Sequence, residues 1–306
     1  MDFLGLILKY PVNRPITSLE RLKQVKQGVR LSVEPQYLWT VIRSNSTYLE
    51  VVDKFHVWKG FTSSFAALIV GMCLWPIFAV FLAAIQTYDQ PEIELVLLLL
   101  FTTSIFGVLI GVGIWMIRKE SFAYTHYPIR FNRVTKMVHV FRLDGTVLSV
   151  RWNDIHFCLV SAGQGFWNLV GHVLDTDGKT VRETFPLPMI TGGSDLQLDG
   201  LRGYWEFVRR YMEEGPKDAA QRVDVLLPIA EQRDSVARGF QRLYMEGGSN
   251  PIRAIFYAAL AAFAAPGRWF AMRTSKIPTW PAEIEASCKV PDNDPFAIGM
   301  NQSAAN

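Results

Sequence analysis

Apolar and polar positions alternate in different ways along this chain, and each change of pattern predicts a different element. From 60 to 117 apolar residues are nearly continuous, in two runs at about 62–88 and 94–117, joined by the acidic link Asp89-Gln90-Pro91-Glu92. A hydrocarbon core about 30 Å thick is crossed by ~20 residues of helix, so each run is long enough to span. The pattern predicts a transmembrane helical hairpin over 60–119, with Pro76 as a kink point in its first helix.

From Ser121 the period drops to two. Short runs rich in β-branched and aromatic residues at 129–133, 136–143, 146–152, 155–160, 171–176 and 179–187 predict consecutive antiparallel strands. Asp144-Gly145 and Asp177-Gly178 lie between successive runs, where a two-residue turn needs φ > 0. At 201–214 the period becomes helical. Leu201, Tyr204, Trp205, Val208, Tyr211 and Met212 share one face, and Gly215-Pro216 ends the element. The expectation for 121–216 is therefore an antiparallel β domain capped by an amphipathic helix, which makes the chain an α+β membrane protein.

The flanks are less regular. In 1–59, Thr17-Ser18-Leu19-Glu20 has capping-box spacing and predicts a short helix over 18–27, stopped by Gly28 and packed under the β domain. The region 217–277 is expected to be helical, interrupted at Pro228. Its apolar run 252–265 is only 14 residues long before Pro266-Gly267, too short to span, and fits either an interfacial helix or one buried against the β domain. The tail 278–306, rich in Pro, Asn and Ala, is expected to be poorly ordered.

Charge orients this plan. There is no Lys or Arg between 60 and 117 although the chain holds 31 of them. Lys54 and Lys59 precede the first span, Arg118 and Lys119 follow the second, and the link carries nothing basic. Basic flanks stay cytoplasmic, so both termini are expected on the cytoplasmic side of a bacterial inner membrane, with Trp58, Tyr88 and Trp115 as interfacial anchors. No ionisable residue falls inside either span, which favours an anchor over a pore or proton path. Gly107-x-x-x-Gly111 permits close helix approach, within the hairpin or between copies. Asp2 stands where a basic leader would begin and the apolar run 3–8 is short, so no signal peptide is expected. Cys73, Cys158 and Cys288 are scattered, which suggests a reducing compartment and no disulfide framework.

Candidate chemistry is sparse. His156 and Cys158 share one strand face, and His172 lies near Asp175 and Asp177; these form the basis of an alternative reading as a membrane-bound enzyme. A same-strand Cys and His rarely aim at one atom, and Asp177 belongs to a turn for backbone reasons. No metal-binding, phosphate-loop or nucleophile-elbow motif appears, and no cofactor is implied. Arg130, Arg133, Lys136, Arg142 and Arg151 give the sheet a basic cast, interleaved with Phe131, Phe141 and Trp152. Arg253, Arg268, Trp269 and Arg273 do the same around the 252–265 run. A net charge of only +3, and tethering near a membrane, point these groups to lipid head groups or a protein partner rather than to nucleic acid.

Two resemblances add to this. Thr146-Val147-Leu148-Ser149-Val150, leading to Trp152-Asn153-Asp154-Ile155, resembles the bacterial pleckstrin-homology-type domains that follow membrane hairpins. Residues 40–215 resemble an uncharacterised family of proteobacterial membrane proteins, similar to proteins encoded near type VI secretion loci. The matching pieces are Asn45-Ser46-Thr47-Tyr48-Leu49-Glu50, Tyr127-Pro128-Ile129-Arg130-Phe131-Asn132-Arg133, Gly171-His172-Val173-Leu174-Asp175 and Arg209-Arg210-Tyr211-Met212-Glu213-Glu214-Gly215-Pro216. The resemblance implies a non-enzymatic, secretion-associated or immunity role with a secreted effector as the protein partner. It transfers no catalytic residue and does not extend past 216.

Overall fold

The computed structural model describes residues 5–86, 93–163, 165–245 and 250–298. The acidic link, with Tyr88, lies outside the described residues. In chain order the elements are β1 (Arg14–Pro15), α1 (Ser18–Leu22), β2 (Val41–Ser44), β3 (Tyr48–Val51), α2 (Phe61–Gln86) and α3 (Ile93–Glu120). Then come β4 (Ile129–Asn132), β5 (Met137–Phe141), β6 (Val147–Arg151), β7 (Ile155–Gly163), β8 (Phe166–Leu174) and β9 (Thr180–Gly192). The chain continues with α4 (Asp195–Glu213), α5 (Pro216–Arg222), α6 (Val236–Met245), α7 (Pro251–Thr274) and α8 (Ala282–Ser287). It divides into two compact units: Met1–His56, His126–Gln232 and Ile277–Asn306 form the first, Val57–Thr125 and Arg233–Lys276 the second.

The first unit holds two antiparallel sheets, ordered β2-β3-β4-β5-β6 and β1-β9-β8-β7. All six strands expected after Ser121 are present. Gly145 and Gly178 adopt φ of 86° and 62°, the left-handed backbone the two Asp-Gly turns require. β2 and β3 were not expected: they come from the N-terminal segment, and β3 pairs with β4 from Tyr48↔Asn132 to Val51↔Ile129. The helical hairpin is thus an insertion between two neighbouring strands of one sheet. The domain boundary at 121 hid this, because β3 has β2 as its turn partner while its other neighbour, β4, lies beyond the whole hairpin.

α4 starts at Asp195, six residues before the expected 201, behind a capping box formed by Ser194 and Gln197. Its apolar face closes the core. Trp205 stacks on Trp152 at 5.4 Å and 16°, and Phe157 lies 4.7 Å from Trp205. These three rings, with Phe131, Tyr204 and Tyr211, are fully buried. Offset ring pairs of this kind contribute about 1 kcal/mol beyond the burial of their area.

The segment after Pro278 departs from expectation. It packs over the outer face of the β2–β6 sheet, burying Ile284 and Cys288 beside Tyr48. Asn132 Nδ2 donates to Ser287 O and Thr47 Oγ1 donates to Lys289 O, while Ile298 bridges Ser44. A composition poor in regular-structure formers described a strap, held by the polar atoms of the sheet rather than by its own periodicity.

In the second unit, α2 and α3 pack through Gly113, where an added Cβ would stand 2.6 Å from Val70 Cγ2. Gly107 and Gly111 have nothing within 4 Å of such a Cβ, so the spacing motif faces away from α2 and takes no part in hairpin packing. α7 runs through Pro266 and is 24 residues long, against the expected 14. Pro266 disturbs the local hydrogen-bond ladder, but the next amide, Gly267 N–H, donates to Ser64 Oγ at 2.9 Å, which answers the disturbed turn. Three helices, α2, α3 and α7, are therefore long and apolar enough to cross a membrane.

Candidate functional site

The residues of the enzymatic reading meet inside the first unit. His156 and Cys158 lie on β7, His172 on β8 opposite His156, and α1 covers them. Glu20 of α1 receives two hydrogen bonds from Arg14, at 2.8 and 2.5 Å, and one from Thr17 N at 2.8 Å. His172 Nε2 stands 3.4 Å from Glu20 Oε1, and His172 Nδ1 is 2.8 Å from Thr184 Oγ1. Burial alone would raise the Glu20 carboxyl; the Arg14 and Thr17 hydrogen bonds outweigh it and hold the pKa at about 2. Burial lowers His172 to about 4 and pushes the Cys158 thiol up. A buried thiol kept protonated is the reverse of an activated nucleophile. The cluster latches α1 to the sheet. Sequence reasoning found Glu20 only as a helix cap and missed Arg14, whose role needs the β1–β9 pairing to be visible.

The proposed metal neighbours are occupied otherwise. Asp177 accepts from the amides of Lys179 and Thr180, and Asp175 pairs with Arg182 at 2.6 Å. Among the described residues no group of three or more His, Cys, Asp or Glu is arranged to hold a metal ion.

The basic sheet residues do not form one platform. Arg130 is 0% exposed, donating to Glu50 at 3.0 and 2.8 Å and to Glu285 at 3.2 Å, with its guanidinium between the rings of Tyr48 (4.3 Å) and Trp280 (4.8 Å). Arg133 donates to Ser46 O, Lys136 to Met212 O, and Arg142 pairs with Glu183 at 2.7 Å. Arg151 is exposed. Phe131 and Trp152 turn inward to the core, whereas Phe141 packs edge-on against Trp280 on the outer face, where Arg130 also meets that ring. Arg142 instead borders a cleft of about 380 Å³, lined by Tyr10, Phe55, Ile129, Val140 and Phe185, of the size that receives a small ligand or a partner side chain.

Around α7 the same division appears. Arg268 is 3% exposed and bound to Asp234 at 2.6 Å and to Lys59 O at 3.2 Å, so it is no surface cation. Arg253, Trp269 and Arg273 are exposed, with Arg273 over the Trp269 ring at 5.8 Å. The foot of the hairpin gathers the other buried charges of this unit. Glu120 accepts from Gly60 N (2.8 Å) and Ser63 N (2.7 Å), placing a carboxylate at the N-terminus of α2, where the helix dipole favours it. Lys59 Nζ donates to the carbonyls of Glu120 and Tyr124, at the C-terminal end of α3.

α7 meets the hairpin at this foot. Tyr257 meets Trp58, Phe263 meets Phe61, Gly267 meets Ser64, and Phe270 meets Phe122. Lys276 exchanges backbone hydrogen bonds with Ala123 and Thr125. Almost twenty residues of α7 and its continuation thus stay level with the first turns of α2 and the end of α3, which is the course of a helix crossing the hairpin rather than climbing beside it.

One family model, described as a family of unknown function (DUF6708), matches residues 106–292. The match takes in the region after 216 that the sequence resemblance left out, and starts inside α3 rather than at 40. No curated protein and no solved structure matches the chain.

Proposed function

Because the chain belongs to the DUF6708 family, whose function is unknown, we propose a function from its geometry: a non-enzymatic binding protein anchored in a bacterial inner membrane by α2 and α3. The first unit, in this reading, is a pleckstrin-homology-like domain on the cytoplasmic side, with β4–β9 followed by α4 as its support. It meets a protein partner or lipid head groups. The resemblance of 40–215 to proteins encoded near type VI secretion loci supports a secretion-associated or immunity role, with a secreted effector as that partner.

The observation that carries the anchor is the course of the chain. The first unit is assembled from three segments, so the chain leaves it at Gln232 and returns at Ile277. If α7 crossed the membrane, a second crossing would be needed to come back, and α6 has only 10 residues against the ~20 a span needs. A hairpin of two spans with α7 lying in the interfacial plane satisfies this parity, and the contacts of α7 at the hairpin foot agree with it. The exposed Ile252, Ile255 and Phe256 would then face the acyl boundary.

Reporter insertions test the reading. A reporter active only outside the cytoplasm should be silent after Glu214 and within 246–249, and active within 87–92. Activity at 246–249 would make α7 a third span, and activity after Glu214 would reverse the orientation. For the enzymatic alternative, Ala in place of His156, Cys158 and His172 together would have to abolish a cellular phenotype that the folded, membrane-inserted variant otherwise retains.

A further inference from the structure

The outward face of α3 ends in a groove that nothing in the described chain fills. Its walls are Gly111, Ile114, Trp115, Arg118 and Lys119. These residues, at spacings of three and four, share one side of the helix, and Gly113 faces α2 from the other. Arg118 and Lys119 are exposed, and neither forms an ion pair with a described residue; Lys119 lies over the Trp115 ring at 5.7 Å. A second pair of the same design stands on α7, where Arg273 follows Trp269 by four residues and covers its ring. Phe122, just past the end of α3, packs edge-on against Phe270 at 5.7 Å, so the ends of α3 and α7 that carry the two pairs are joined.

We propose that this groove is a binding site for an anionic phospholipid, its phosphate held by Arg118 and Lys119 and its acyl chain lying along Trp115, Ile114 and the notch at Gly111. The inference rests on the hairpin being membrane-embedded. An indole with a cation one helical turn onward matches the order of layers at a bilayer surface: the ring sits at the glycerol level and the charge reaches the phosphates. The missing side chain of Gly111 leaves an apolar slot beneath the cations, continuous with the hydrocarbon. Charge selects the occupant. A second copy of this chain packed in parallel on the same face would bring Arg118 and Lys119 against their own counterparts, whereas an anionic head group neutralises them. Zwitterionic lipid fits the slot but leaves the cations unanswered. Each cation near an anionic surface contributes about 1 kcal/mol, so two predict a preference for anionic over zwitterionic lipid of about tenfold to thirtyfold.

The test uses the full chain in detergent, titrated with phosphatidylglycerol or phosphatidylcholine and read by native mass spectrometry. The expected result is discrete phosphatidylglycerol adducts, at least tenfold favoured over phosphatidylcholine and weakened by salt. In R118Q/K119Q the preference should vanish while thermal unfolding is unchanged, and in Gly111→Leu adducts of both lipids should decline. Equal affinity for the two lipids, or a double variant that keeps its preference, overturns the site. A dimer that Gly111→Leu dissolves assigns the face to a second copy and overturns it equally. Alkaline extraction of membranes separates failure of this inference from failure of the anchor: a protein that stays in the membrane but shows no lipid preference refutes the site alone.

Discussion

In the first unit Trp152, Trp205 and Phe157 are shielded from solvent, while in the second Trp75 is 72% exposed and Leu68, Met72, Leu100 and Phe101 stand out from the helices beside it. The charged groups do not divide this way. Glu50, Arg130, Glu206 and Arg209 are buried in the first unit and Lys59, Glu120 and Arg268 in the second, each answered by an opposite charge or by the backbone. What separates the units is where their large apolar groups go: into a closed core in the first, and along the bare flanks of α2 and α3 in the second, two helices long and apolar enough to cross a membrane.

Substitutions can break this contrast at its strongest point first. Trp152→Ala should destabilise the first unit by about 4 kcal/mol, through lost burial and the cavity left among Phe157 and Trp205. Trp75→Ala, equally large in atoms removed, should change stability in detergent by less than about 0.5 kcal/mol. A comparable loss at Trp75 would mean that its face packs on protein after all.

Next come the buried charges. Asp234→Ala strands Arg268 and should cost about 3 kcal/mol, and Asp234→Leu with Arg268→Met should recover most of it, measured by thermal unfolding of the full chain. Failure of the double variant to recover would show that the carbonyl contacts of Arg268, more than the ion pair, hold the foot.

Acid separates the units without mutation, because all five histidines belong to the first. Burial holds His139 and His172 at about 4, against an ordinary 6.5. As pH falls from 6.5 towards 4 the unfolded chain takes up protons that the folded unit refuses, so stability is lost across this window. His139→Gln and His172→Gln should each flatten the slope. An unchanged slope in both would place the acid sensitivity elsewhere.

The smallest effect distinguishes the two sides of α3. Gly113→Leu should splay the hairpin and cost about 1–2 kcal/mol, because Val70 and the Ala66 carbonyl leave no room. Gly107→Leu, with open space around it, should be neutral in a monomer. Equal effects would reveal a partner on the outer face.

How much of this was written locally in the chain depends on the range of the interaction. The hairpin needs only the length of its apolar runs, and the strand pairs around Asp144-Gly145 and Asp177-Gly178 announce themselves through their turns, so both were legible. β3 was not, since its place in the sheet depends on β4, which lies across the insertion. The strap from Ile277 was not, because Trp280 and Glu285 gain meaning from Arg130, a residue far back in the sequence. Nor was Arg268, which looks from its neighbours Arg273 and Lys276 like one more surface cation, until Asp234 is seen beside it. Among candidate sites, spacing suggested His156, Cys158 and His172, and the structure adds Glu20 and Arg14 beside them, a link that no local pattern announces.

The insertion between β3 and β4 also has a consequence in time. β3 leaves the ribosome before the hairpin, and at roughly 5–20 residues per second β4 follows it only after several seconds. Meanwhile β3 presents an open edge bearing Leu49 and Val51, the kind of edge on which chains aggregate. Closing so long a loop in solution would be slow, but the loop does not stay loose. Once α2 and α3 have met, Glu120 lies on the amide of Gly60 and Lys59 on the carbonyl of Tyr124, so the two ends of the insertion are already side by side. The helix pair does the loop closure for the sheet, and β4 follows β3 with only a few residues of slack on either side. Pairing of α2 with α3 is thereby the step that commits the sheet to close, and a hairpin that fails to pair leaves β3 without its neighbour.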